Sequence, residues 1–186
     1  MTPKVVFASA VLVLSLAIAA PAASAVYVLG GGLADACSRF ALDGRSDDYS
    51  LNTCTYALET ETLVKRDRAA TFVNRGVIQL RRKKYDAANH DFDTAIRLAP
   101  AMGEAFVNRG AALIAQRRWR EGMADIDRGL ALAPDEPEKA YFNRALAWEA
   151  LDDMAAAWRD YTQAATLKPE WEAPRKELAR FTVTPR

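Results

Sequence analysis

Hydrophobic and polar positions fall into three regimes along the chain. Val5 to Ala20 is an unbroken run of apolar and small residues. From residue 34 onward, apolar positions recur every three or four residues, the period of a helix with one buried face. Thr182 to Arg186 shows no such period and is expected to fray.

Within the helical regime the pattern itself repeats. Phe72-Val73-Asn74-Arg75-Gly76 returns 34 residues later as Phe106-Val107-Asn108-Arg109-Gly110, and 35 residues after that as Tyr141-Phe142-Asn143-Arg144-Ala145. Each copy is followed by a second periodic segment that ends in proline, at Pro100, Pro134 and Pro169. Proline stops a helix and sets the entry to the next. Each copy therefore predicts two helices of about 12 to 15 residues joined by a short turn. One such hairpin cannot bury its apolar face, so the copies must stack on a shared core.

Large and small residues alternate at fixed columns. Phe72 pairs with Gly76, Phe106 with Gly110, and Tyr141 with Ala145, each four residues apart. Tyr85 and Trp119 open the second helices, with Met154 as a weaker equivalent. Small residues follow at Ala88 and Ala95, Gly122 and Gly129, Ala157 and Ala164, with Phe92, Ile126 or Tyr161 between them. On these residues the chain resembles the tetratricopeptide-repeat (TPR) family over residues 69–169. The resemblance implies an all-α solenoid of stacked antiparallel helix pairs, a right-handed superhelix with a concave inner face. It also implies a scaffold for a protein or peptide partner rather than an enzyme.

The expected organisation is a signal peptide over 1–25, a flexible lead-in over 26–33 and a degenerate capping hairpin over 34–66. Repeats follow over 67–101, 102–136 and 137–169, then a capping helix over 170–181 and a tail over 182–186. The signal reading rests on Lys4, the apolar run, the helix-breaking Pro21 and the small residues Ala23-Ser24-Ala25. Cleavage after Ala25 would start the mature protein at Val26 in an exported, periplasmic setting. The competing reading is an uncleaved anchor, the one route to membrane contact, although the run is short of the roughly 20 residues of a span.

Export changes how the cysteines read. Cys37 and Cys54 are the only two, and in an oxidising compartment they suggest a disulfide closing the capping hairpin. Two buried thiols are the alternative. Together with one distant histidine, His90, they fall short of a four-ligand zinc site.

Charge excludes more than it suggests. The chain has 25 basic and 24 acidic residues, and one of the basic ones, Lys4, lies in the predicted signal. A near-neutral chain lacks the basic excess of a nucleic-acid binder. No nucleophile motif, phosphate loop or metal-spaced cluster appears, so no catalytic residue, cofactor, metal or small-molecule substrate is expected. Trp119, Trp148, Trp158 and Trp171 sit at helical spacings as packing residues. The basic runs Arg81-Arg82-Lys83-Lys84 and Arg117-Arg118 with Arg120 fall at turns and read as solvated loop charge.

Two columns stand out. Arg75, Arg109 and Arg144 occupy a column that is usually apolar in the family, and a charge so near a core needs a partner. Asp91, Asp125 and Asp160 lie 16 residues downstream of each, so an ion pair within a repeat or to a neighbouring one is expected. The alternative is an exposed basic ladder for acidic ligands. One residue earlier, Asn74, Asn108 and Asn143 repeat where asparagine is a poor helix former unless its amide is used. By resemblance this column faces the concave surface, where the similar array of the O-linked N-acetylglucosamine transferases holds an extended peptide by its main chain. Val73, Val107 and Phe142 would share that face, with Ala70, Glu104 and Lys139 one turn earlier. Helping to bond adjacent repeats is the other role open to the asparagines. The rival to a peptide-binding scaffold is an assembly subunit of an envelope complex, acting through its convex face or repeat ends.

Overall fold

A computed structural model describes residues 4–7, 20–28 and 31–184. After a short strand β1 (Lys4–Phe7), the described chain is helical: α1 (Leu33–Leu42), α2 (Asp48–Thr60), α3 (Lys65–Arg81), α4 (Tyr85–Leu98), α5 (Gly103–Ala115), α6 (Trp119–Ala131), α7 (Pro137–Ala150), α8 (Met154–Leu167) and α9 (Glu172–Leu178). A second strand, β2 (Phe181–Thr184), pairs antiparallel with β1. Helices pair in sequence order, α1 with α2 through α7 with α8, and each pair packs on the next.

The turns inside the three repeats share one solution. Lys83, Arg117 and Asp152 adopt the left-handed conformation, with φ of 58°, 62° and 66°. In the first, Lys84 N–H reaches Gln79 O and Lys83 N–H reaches Leu80 O, which satisfies carbonyls the helix end leaves open. The same two bonds recur at Arg118 and Arg117, and at Asp153 and Asp152. These residues are exposed, so a polar side chain suits the position. Not all of the first basic run is solvated, however. Arg81 donates to Ala41 O at 2.6 Å, and Arg82 pairs with Asp48 at 2.6 Å, because the turn abuts the capping hairpin.

Small residues sit where the helices cross. A Cβ on Gly110 would lie 2.7 Å from Gly122 O, and one on Gly129 would lie 2.9 Å from Gly103 O. In the second repeat, α5 and α6 therefore touch backbone to backbone at two points, closer than any side chain permits. In the first repeat Gly76 lies under the Phe92 ring instead.

The two ends are closed differently. At the N-terminal end Cys37 and Cys54 form a disulfide between α1 and α2. Asp47 caps α2 by accepting from Ser50 N–H at 2.8 Å, and the Glu61 carboxylate caps α1 by accepting from Leu33 and Ala34 N–H. At the other end Phe142 packs against Tyr161 and Trp171, with ring centroids 5.5 and 4.9 Å apart, and Tyr161 meets Phe181. The other three tryptophans also pack against this cluster.

Three expectations are corrected. The C-terminal helix is shorter than residues 170–181, ending at Leu178. Thr182–Thr184 are not frayed: ladder bonds to Lys4–Val6 order them, a partner that local sequence cannot reveal. The start of the lead-in is not flexible either, since Val26 and Val28 are buried among the first repeats. Most of the predicted apolar signal run, residues 8–19, lies outside the described residues. Among those described, no helix is long and apolar enough to cross a membrane.

Candidate functional site

The inner wall of the array is built from the first helix of each repeat. Asn74 on α3, Asn108 on α5 and Asn143 on α7 are all fully buried. An asparagine amide carries a donor and an acceptor side by side, the complement of a peptide group. Here each amide uses both on one residue of the segment Ala20–Val28, an arm that precedes the helices. Asn143 Oδ1 accepts from Ala22 N–H and its Nδ2 donates to Ala22 O, both at 2.7 Å. Asn108 does the same with Ser24 at 2.9 and 2.7 Å, and Asn74 with Val26 at 2.7 and 2.6 Å.

The register is regular. One rung per repeat meets every second residue of the arm, so the arm is extended and advances at most about 7 Å per repeat. It runs against the order of the repeats, with Ala22 on the third and Val26 on the first. Lys139 adds a contact between rungs, donating from Nζ to Ala23 O at 3.0 Å while pairing with Glu136 at 2.7 Å.

Of the other residues expected on this face, Val73, Val107 and Phe142 are all but wholly buried and belong to the cores. Val73 shares a cluster with Val26 and Val28, and the cluster of Val107 and Phe142 takes Ala22 against it. Ala70 is buried as well, and Glu104 accepts from Asp135 N–H while lining a cavity beside Val26.

The arginine column has a different environment. Each guanidinium makes two parallel bonds to the aspartate of its own repeat: Arg75 to Asp91 at 2.8 and 2.7 Å, Arg109 to Asp125 at 2.7 Å twice, and Arg144 to Asp160 at 2.7 and 2.9 Å. The third nitrogen reaches back to the preceding hairpin. Arg109 Nη1 meets Asp93 at 2.7 Å and Arg144 Nη1 meets Asp127 at 2.6 Å. Arg75 Nη1 finds only the Thr55 hydroxyl, at 3.3 Å. Each guanidinium also lies over the ring that opens its motif, Phe72, Phe106 or Tyr141, at 5.3 to 5.7 Å.

This is a lateral stitch between repeats, not a ladder open to ligands. Hydrogen bonds donated to Asp125 and Asp160 raise the pKa values of Arg109 and Arg144 well above the ordinary arginine range, outweighing a burial that pushes the other way. Asp93 and Asp127 escaped the sequence reading, although Asp-x-Asp recurs at 91–93 and 125–127 with the period of the repeat. His90 is exposed, away from both columns.

Stacked antiparallel helix pairs with a lined inner groove define an all-α helical-repeat solenoid. The chain has the fold of tetratricopeptide-repeat domains. It is similar to the TPR domain of Arabidopsis OM64 (TM-score 0.58, 21% identity, covering 63% of this chain and 96% of that one). It is also similar to the second TPR domain of human RPAP3, solved in complex with the HSP70 peptide SGPTIEEVD (TM-score 0.56, 22% identity, 62% and 96% covered). MamA from Desulfovibrio magneticus matches more of the chain (TM-score 0.59, 19% identity, 80% and 82% covered). No family model matches the sequence, and no curated protein matches it.

Proposed function

We propose that this protein is an exported scaffold that binds an extended segment of a partner protein along its concave face, without catalysis. The observation that carries this reading is the set of three reciprocal amide pairs between Asn74, Asn108, Asn143 and an extended main chain. Side chains that grip only main-chain groups can accept a segment from another chain as well as their own. The likeness to a TPR domain solved in complex with a peptide supports a peptide or protein partner. Export is supported by Lys4, the apolar run and Ala23-Ser24-Ala25, and by a Cys37–Cys54 disulfide suited to an oxidising compartment. A chain cut after Ala25 would retain the Val26 rung and present Asn108 and Asn143 to a partner.

The test is a crosslinking pull-down from the native envelope with protein that begins at Val26. A variant carrying Asn74→Ala, Asn108→Ala and Asn143→Ala, confirmed as folded by circular dichroism, runs alongside. The expected result is a partner captured by the wild type and lost by the variant. A partner retained by both would move the interface to the convex face or the repeat ends and make the protein an assembly subunit.

A further inference from the structure

The groove holds part of its own chain, and the fit of that part limits what else can enter. Main-chain bonds are blind to side chains, so selectivity must come from the walls. Ser24 and Val28 are 2% and 3% exposed, and Val26 is 7% exposed. Ala22, Ala23 and Ala25 are half-buried, each against a different core: Ala22 on that shared by the second and third repeats, Ala23 on that shared by the first and second, and Ala25 on the cluster of Cys37, Cys54 and Ile78. Tyr27 is the one large side chain in the arm, and it points out, 65% exposed. Residues 20–28 carry no charge.

Each feature has a physical consequence. A charge at a rung position would be buried without a partner. A large side chain there would press on walls that are already packed. Proline at a rung lacks the N–H that the asparagine oxygen accepts.

On this basis, and resting on the reading of the groove as a peptide site, we propose that residues 22–28 are a built-in surrogate of the ligand. The ligand that displaces them is an extended, uncharged protein segment with small side chains and no proline at the rung positions. Its N-terminal end lies at the third repeat, as the arm's does. The arm is tethered to the first hairpin by a few residues and so competes as an intramolecular ligand, at an effective concentration on the order of millimolar. In the intact chain the groove therefore binds such a segment weakly, and any change that loosens the arm strengthens binding.

The test uses the full chain and a labelled peptide of the sequence of residues 20–28, read by fluorescence anisotropy. Two variants release the arm without touching the groove: Ser24→Pro removes the middle rung's N–H, and Val26→Asp buries a charge. Circular dichroism confirms the fold of each, and either one suffices. The released chains should bind the peptide at least tenfold more tightly than wild type. Peptides with proline or tryptophan at the position of Ser24 should lose at least tenfold. Folded variants that bind no better than wild type would overturn the proposal. Released chains that bind members of a mixed peptide library with large or charged rung residues as tightly would sink the ligand class and leave the peptide groove standing. Released chains that bind no member of that library would sink the groove reading itself.

Discussion

Asparagine and arginine stand side by side on the first helix of every repeat, yet the two columns are satisfied in opposite ways. Arg75, Arg109 and Arg144 find their partners inside the array, on their own second helix and on the hairpin before. Asn74, Asn108 and Asn143 find theirs on an arm that belongs to no repeat. The difference separates structure from site. A guanidinium held between helices by carboxylates cannot lose its partner without leaving buried charge behind. An amide whose guest departs can turn to water in an opened groove. Adjacent residues of one motif thus divide the work, one column fastening the repeats and the other holding a segment that belongs to no repeat.

The largest effect should come from the fastening column. Arg109→Ala strands the Asp125 carboxylate and is expected to cost about 3 kcal/mol in urea unfolding. Arg75→Ala should cost about 1 kcal/mol more, because the Asp91 carboxylate it strands is only 1% exposed, while the extra partner of Arg109, Asp93, is 45% exposed. Equal losses would mean that the inter-repeat contact of Arg109 offsets the deeper burial of Asp91. Asn108→Leu comes next. It keeps the shape but removes both bonds to Ser24, leaving a buried N–H and C=O unpaired at about 2 kcal/mol. Hydrogen exchange should quicken at the amides of Ser24 and Val26 and stay unchanged along α5. Uniform quickening would place the asparagine among the fastening residues and erase the contrast.

The smallest effect lies in the third repeat, beside the last members of both columns. Burial pushes the Tyr161 phenol well above its ordinary range, while its hydroxyl donates to Glu149 at 3.1 Å. The unfolded phenol ionises near pH 10 and the folded one resists. Its contribution is therefore fully present below pH 10 and lost as the pH rises beyond it. Tyr161→Phe should cost about 1 kcal/mol at neutral pH, for the lost hydrogen bond. It should also flatten the fall in stability above pH 10, and an unchanged slope would show that the phenol ionises in place.

Much of this was legible in the sequence because repetition makes weak signals strong. Three copies of large-small columns place the helices, and an asparagine beside an arginine in each copy marks the two columns. The arm was not legible. Ala22 to Val26 has no period, no charge and no turn signal, and its small residues match the demands of a peptidase as well as those of a packed groove. Only the wall of asparagines orders it, and that wall is assembled from helices that lie 48 to 121 residues away. The pairing of Lys4–Phe7 with Phe181–Thr184 escaped for the same reason, since each four-residue strand exists by virtue of the other.

The burial of Ser24 reaches beyond affinity. An endopeptidase grips its substrate as an extended strand, through the same main-chain groups that Asn108 holds. Folding of the solenoid and the proposed cut after Ala25 would therefore be rivals for one stretch of backbone. A chain that closes first hides the bond and keeps its tenant; a chain cut first starts at Val26 with two vacant rungs. If the segment before Val26 is a cleaved leader, as proposed, the species a cell holds is decided by a race between assembly of the repeats and the cut.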